Sequence, residues 1–238
     1  MKTALFLCRI EVMSLPNIDR KETVLSAIAA RRKEYARSGL SRTDLHADPF
    51  LQFEGWFTDA LASDVIEPTA MQLATALANG QPDVRTVLLR AFDASGFIFY
   101  TNYASAKGQQ IAQNPQVALL FVWDVLERQV RIHGRAHKLP AEQSAAYFQS
   151  RPHDSQLAAL ASQQSQPLSS RAELIARWHA LQAQYPQGTP IPSPDFWGGY
   201  CVTPTRFEFW QGGLHRLHDR FCYELDTSNH WHITRLNP

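Results

Sequence analysis

The densest concentration of chemistry-bearing side chains is Glu208-Phe-Trp-Gln-Gly-Gly-Leu-His-Arg-Leu-His-Asp-Arg220, where an aromatic segment meets two glycines and then a run of imidazoles and guanidiniums. Gly212 and Gly213 suit a turn with positive φ and close backbone approach. The pattern predicts one strand ending at Trp210 and another beginning with Arg216, His218 and Arg220. At alternate positions these three share one face, and two guanidiniums flanking an imidazole suit a planar or anionic ligand. A solvated edge strand with Asp219 as local counter-charge accounts for the same residues. His215 and His218 invite a metal, but no third Cys or carboxylate ligand stands nearby, so no metal site is expected. No serine-based triad is evident.

Other candidates lie upstream. Arg85 and Arg90 fall on one predicted strand at an odd spacing, which strict alternation puts on opposite faces unless a bulge intervenes. Tyr100-Thr101 at a strand end, followed by Ser105-Ala106-Lys107 at a helix start, gathers hydroxyls, free amides and an ammonium where a helix N-terminus favours phosphate. Tyr147, Arg151 and Ser155 follow at four-residue steps. On a helix that spacing aligns a phenol, a guanidinium and a hydroxyl, although Pro152 interrupts it. From these residues alone a solvated helix face is the more ordinary reading of the three, as a solvent-facing amide is of Gln129.

At 238 residues, with 45% hydrophobic and 19% charged positions, the chain is long enough to bury a full core. A formal charge of +1 offers no footprint for nucleic acid or an anionic membrane, so local arginine clusters point to small anions. Cys8, Cys201 and Cys222 are odd in number and lack metal-like spacing, which fits reduced thiols in a cytoplasmic protein. The apolar run Ala4-Leu-Phe-Leu-Cys8 is short, is followed by Arg9 and Glu11, and lacks a small-residue cleavage site. No run approaches the ~20 apolar residues of a membrane span. Met13 reads as an alternative start, and residues 1–19 are expected to form a tail before a single domain over 20–238.

The elements that must position these residues follow from periodicity. Lys21–Arg37 reads as a helix with a stripe of Val24, Leu25, Ile28 and Tyr35, a basic cluster Arg31-Arg32-Lys33 and a stop at Gly39. Asp48 caps a second helix that starts at Pro49 and carries Phe50, Phe53, Phe57 and Leu61 as its core stripe. Strands are predicted over Ala70–Ala78, Val84–Phe92 and Phe97–Asn102; Ser105 then caps a short helix ending at Asn114-Pro115. Val117–Trp123 and Arg128–Leu139 are strands, and a helical insertion over about 140–186 holds helices Ala141–Gln149, Ser155–Ser162 and Ser170–Tyr185. Strands return at Trp197–Val202, Arg206–Trp210, Arg220–Leu225 and Trp231–Leu236. With no βαβ alternation and no glycine-rich phosphate loop, the fold is mainly β with peripheral helices (α+β), an antiparallel barrel.

The segments Arg85-Thr-Val-Leu-Leu-Arg90, Phe99-Tyr-Thr-Asn102, Leu126-Glu-Arg-Gln-Val130, Ser150-Arg-Pro-His-Asp-Ser-Gln156, Phe196-Trp-Gly-Gly199 and Glu208–Arg220 stand in an order that resembles the pyridoxamine (pyridoxine) 5'-phosphate oxidase family. The resemblance runs from about Arg31 to Pro238. It implies an antiparallel split β-barrel, a homodimer, and a flavin mononucleotide (FMN) site at the subunit interface. The implied reaction is oxidation of pyridoxamine 5'-phosphate or pyridoxine 5'-phosphate by oxygen to pyridoxal 5'-phosphate, with release of hydrogen peroxide. Flavin contacts are implied for Arg85, Arg90, Tyr100, Thr101, Lys107, Gln129, Gln164, Ser165, Trp210 and Arg220. Substrate contacts are implied for Arg32, Tyr35, Arg90, Tyr147, Arg151 and Ser155, with Arg32-Lys-Glu-Tyr35 as a lid, and Arg216 and His218 as the catalytic pair over the pyridine ring. Two positions depart from the family pattern. Arg90 stands where a lysine is usual, and Ala106 where an arginine commonly helps hold the flavin phosphate. Two other readings stay open: a split-barrel flavin reductase or oxidase of another substrate, and a non-catalytic flavin- or haem-binding protein.

Overall fold

The structure, a computed structural model, describes residues 20–30, 34, 35 and 39–238. It divides into two compact units, Met1–Glu34 and Tyr35–Pro238. In the first, helix α1 (Arg20–Ala30) leaves Val24, Leu25 and Ile28 more than half exposed. The helix expected to reach Arg37 does not: Glu34 and Tyr35 are non-helical, and Arg32 and Cys8 lie outside the described residues.

In the second unit a 3-10 turn at Arg42–Asp44 precedes α2 (Pro49–Leu61). The Asp48 carboxylate accepts from the Phe50 N–H at 2.8 Å, and proline occupies the first turn, where its missing N–H costs nothing. Phe53 is fully buried, its ring 4.9 Å from those of Phe92 and Phe97 and 5.0 Å from that of Phe121. Leu61, expected in the core, is instead 58% exposed, because the buried face runs through Trp56 and Ala60.

Nine antiparallel strands follow: β1 (Ala70–Ala76), β2 (Pro82–Leu88), β3 (Ala91–Asp93), β4 (Gly96–Asn102), β5 (Gln116–Trp123), β6 (Arg128–Lys138), β7 (Trp197–Gln211), β8 (Asp219–Leu225) and β9 (Trp231–Leu236). The sheet order is β2-β1-β5-β6-β7-β4-β3, with β8 on β7 and β9 beyond it. The strand expected over Val84–Phe92 is thus two. At the break the Leu89 N–H donates to Thr69 O and the Arg90 N–H to Ile98 O, both at 2.8 Å, so the chain passes from β2, the edge strand beside β1, to β3, the edge strand beside β4, and links the two ends of the sheet.

The strands expected at Trp197–Val202 and Arg206–Trp210 are one long β7. Pro204 lacks a donor and Thr205 has no partner in the ladder; a register shift opposite His133 and Gly134 absorbs both, and pairing continues on either side. Helix α3 (Ala106–Gln113) follows β4, and Ser105 caps it by accepting from the Gly108 N–H. The insertion forms α4 (Ala141–Ser150), α5 (His153–Ala161) and α6 (Arg171–Gln184), over a second core of Phe148, Leu157, Ile191 and Trp197.

The turn after β7 departs most from expectation. Gly212 and Gly213 are not in positive-φ conformations. His215 (φ 54°) and Arg216 (φ 64°) are, inside a 3-10 turn at Leu214–Arg216, and β8 starts only at Asp219. Arg216, His218 and Arg220 therefore do not form one strand face. The glycines supply closeness instead: a Cβ on Gly212 would lie 2.8 Å from the Tyr35 ring, and one on Gly213 would lie 2.4 Å from Leu217 O.

Among the described residues no helix is long and apolar enough to cross a membrane, and no cluster of His, Cys, Asp and Glu is arranged to hold a metal. Cys201 and Cys222 are buried free thiols, and burial raises the pKa of each.

Candidate active site

Two adjoining cavities, of about 320 and 550 Å³, lie where β4 and the Leu89–Arg90 step meet the helical insertion, and Arg90, Tyr100, Thr101 and Gln164 line both. The break in the strand is what lets Arg85 and Arg90, which alternation would separate, border the larger cavity together.

The larger cavity adds Arg85, Ala106, Lys107 and Ser165. Lys107 is 8% exposed, and its ammonium donates to Gln164 Oε1 at 2.9 Å. Burial, with Arg85 nearby, lowers its pKa below the ordinary lysine value, and Asp83 partly offsets this. Thr101 Oγ1 donates to the same amide oxygen at 3.1 Å. Gln164 and Ser165 reach the site because Ser165 takes a φ of 71°, turning the chain beyond α5. Arg85 is already engaged: Nη1 donates to Leu73 O (3.2 Å) and Thr75 Oγ1 (2.7 Å), and Nη2 to Asp83 (2.5 Å) and Gln110 (2.8 Å).

The smaller cavity is an aromatic slot with a guanidinium at its wall. Tyr100 and Tyr147 stack with ring centroids 3.7 Å apart, and both rings lie within 13° of parallel to Trp197. Gly199 makes room for this: a Cβ there would stand 2.9 Å from Tyr100 Cε1. The Arg151 guanidinium sits 4.6 Å from the Trp197 ring centroid, and its buried Nη1 has no hydrogen-bond partner among the described residues. Burial first, and Arg90 in addition, lower the pKa of Arg151, while Tyr147 opposes the shift. Ser155, on the first turn of α5, does not line the slot.

The remaining site residues gather elsewhere. Gln129, Trp210 and Arg220 are directly cross-strand on β6, β7 and β8. The Trp210 ring lies 4.7 Å from that of His218 and 5.5 Å from that of Tyr35. The Gly213 N–H donates to His218 Nδ1 at 3.1 Å, so the neutral imidazole carries its hydrogen on Nε2. Arg216 is exposed on the 3-10 turn. This set stands at the C-terminal end of β7. Tyr100 and Thr101 pair with Gly199 and Gly198 at its N-terminal end. One copy of the chain does not bring the two sets together.

Sequence reasoning missed three supporting residues. Asp83 and Gln110 hold Arg85, and only the i, i+2 spacing of Asp83 and Arg85 on one strand hinted at it. Trp197 was visible within the Phe196–Gly199 motif, but nothing in that motif says that Arg151 packs on it.

Residues 57–185 match the family model described as pyridoxamine 5'-phosphate oxidase, and residues 197–238 match that of the pyridoxine 5'-phosphate oxidase C-terminal dimerisation region. A pyridoxine/pyridoxamine 5'-phosphate oxidase of Rippkaea orientalis (strain PCC 8801 / RF-1) is 54% identical over 211 residues, covering 89% of this chain and 99% of the relative. The crystal structure of PhzG from Burkholderia lata 383, in complex with tetrahydrophenazine-1-carboxylic acid, superimposes with a TM-score of 0.80 at 30% identity, covering 87% of this chain and all of that one. A pyridoxamine 5'-phosphate oxidase-related, FMN-binding protein of Nostoc punctiforme PCC 73102 shares the fold, with a TM-score of 0.65 at 19% identity over 82% of this chain and all of that one. Fold, motif order and overall identity agree, and the chain belongs to the pyridoxamine 5'-phosphate oxidase family of split-barrel proteins.

Proposed function

We propose that this chain catalyses the FMN-dependent oxidation of pyridoxamine 5'-phosphate and pyridoxine 5'-phosphate to pyridoxal 5'-phosphate in the cytoplasm, with oxygen as the final acceptor and hydrogen peroxide as the second product. The observation that carries this reading is the pair of adjoining cavities, each with its own cations, that share the wall of Arg90, Tyr100, Thr101 and Gln164. Two phosphorylated ligands side by side are what such a wall suits.

The residues fit the cofactor. Among the described residues the buried Lys107 ammonium meets only neutral oxygens within hydrogen-bond distance, those of Gln164 and Ser105, which suits it to an anion. Lys107, Thr101 and Ser165 would hold the phosphate end of FMN, and Gln129, Trp210 and Arg220 its ring system. When bound, FMN supplies the hydride acceptor and the route of electrons to oxygen. Arg151 Nη1, without a hydrogen-bond partner among the described residues, would take the substrate phosphate, with Tyr147 in the same slot, while Ser155 stands outside the slot on the first turn of α5. Arg216 and His218 would orient the pyridine ring and stabilise charge as hydride leaves C4'. From the alcohol, loss of hydride and a proton gives the aldehyde directly. From the amine it gives an imine, which water hydrolyses to the aldehyde and ammonia.

Because the two residue sets stand at opposite ends of β7, the complete site takes one set from each of two copies, in a homodimer. The test is direct. The purified protein should show flavin absorbance, and pyridoxamine 5'-phosphate or pyridoxine 5'-phosphate should yield peroxide and the aldehyde in equal amounts, with unphosphorylated vitamers far poorer. Flavin without peroxide would leave a binding protein, and peroxide without the aldehyde an oxidase of another substrate.

A further inference from the structure

Glu208 is a buried charge that neither cavity uses. It lies within β7 with its side chain 3% exposed, paired in register with Arg131 on β6 and Cys222 on β8. A carboxylate so placed requires counter-charge and hydrogen bonds. Oε1 accepts from Arg220 Nε at 3.0 Å and from Arg220 Nη2 at 2.8 Å, while Oε2 has no hydrogen-bond partner among the described residues and is met only by charge, 3.4 Å from Arg131 Nη1 and 3.7 Å from Arg206 Nη2.

The consequence falls on Arg220. Its Nη1 also donates to the Asn237 carbonyl at 2.8 Å, so the guanidinium is gripped on two sides and its plane is fixed. These bonds use three of its five N–H groups, and the other two, one on each terminal nitrogen, remain to donate. Arg220 is the cross-strand neighbour of Trp210, which in turn faces Gln129. Two carboxylates, Glu208 and Glu224, the latter 3.3 Å from Arg206 Nε, serve three guanidiniums, which still leaves this patch of the sheet positive, as an electron-rich ligand would require.

We propose that Glu208 is a positioning residue for the cofactor: it locks the Arg220 guanidinium in the orientation in which its two remaining N–H groups meet FMN, with Arg131 and Arg206 supplying the balancing charge. The inference rests on the reading of Arg220 as a flavin contact, and the experiment separates the two.

The FMN dissociation constant is measured by fluorescence quenching for the parent, Glu208→Gln, Arg220→Ala and the double variant. Glu208→Gln should weaken binding about ten-fold. Arg220→Ala should weaken it at least as much, and Glu208→Gln should then add nothing in that background. If Arg220→Ala leaves the constant unchanged, Arg220 is no flavin contact and both readings fall. If Arg220→Ala weakens binding but Glu208→Gln does not, or if their losses multiply in the double variant, Glu208 is only a structural charge and the inference alone is overturned. Should Glu208→Gln not fold, the same cycle run in an Arg131→Gln background removes the uncompensated guanidinium and gives the same readout.

Discussion

Arg85 and Lys107 border the same cavity but carry different shares of positive charge into it. Arg85 is paired with Asp83 and spends both terminal nitrogens on protein partners, which leaves Lys107 and Arg90, among the described residues, as the cations able to meet a phosphate there. The lowered pKa of Lys107 means that its ammonium loses its proton at a less alkaline pH than an ordinary lysine, so anion binding should decline as pH rises through that point. Ala106, beside Lys107 at the start of α3, lines this cavity and contributes no charge. Ala106→Arg should tighten FMN binding by about 5- to 150-fold at low salt, and the gain should shrink as ionic strength rises. Flavin fluorescence titration of both proteins checks it, and equal constants would place the phosphate away from α3.

The turn between β7 and β8 shows what an element adds to its residues. A glycine pair in the sequence announced the turn, but the alternation of Arg216, His218 and Arg220 imitated a strand, and nothing local says that His215 and Arg216 adopt positive φ instead. Gly212 then matters for the space it leaves to Tyr35. In Gly212→Ala the methyl group should push Tyr35 away from Trp210 and His218, because a single ring yields more readily than a hydrogen-bonded strand. Stability should fall by no more than about 1 kcal/mol. The substrate KM should rise several-fold, and Tyr35→Ala should produce the same rise with no further increase in the double variant. Thermal unfolding and steady-state kinetics together decide this. Helix caps such as Asp48 and Ser105 were legible because they are local chemistry. The break at Leu89–Arg90 was not, because two short strands in line have the same period-two pattern as one long strand, and only their different partners separate them. Glu208 escaped for a related reason: Phe207, Phe209 and Trp210 around it on the strand are aromatic, and the arginines that make it tolerable come from β6, β8 and its own strand.

At the scale of the molecule, β7 carries one residue set at each end, and the proposed assembly joins opposite ends of two copies. An Arg151→Ala chain and a His218→Ala chain, each nearly inactive alone, should recover about a quarter of parental activity when refolded together, since half of the random pairs are mixed and each mixed pair holds one intact site. Peroxide production measures this, and a mixture no better than the mean of its components would mean that each copy builds its site alone. The two ends of β7 have a further consequence in terms of mass action. In that proposed assembly a solitary chain owns every part of the catalyst and possesses none of the catalyst, so activity would begin with an encounter and dilution would abolish both sites of a pair at once. The abundance of the chain then acts as a control in its own right, and any ligand that bridges the two copies raises the fraction that is paired.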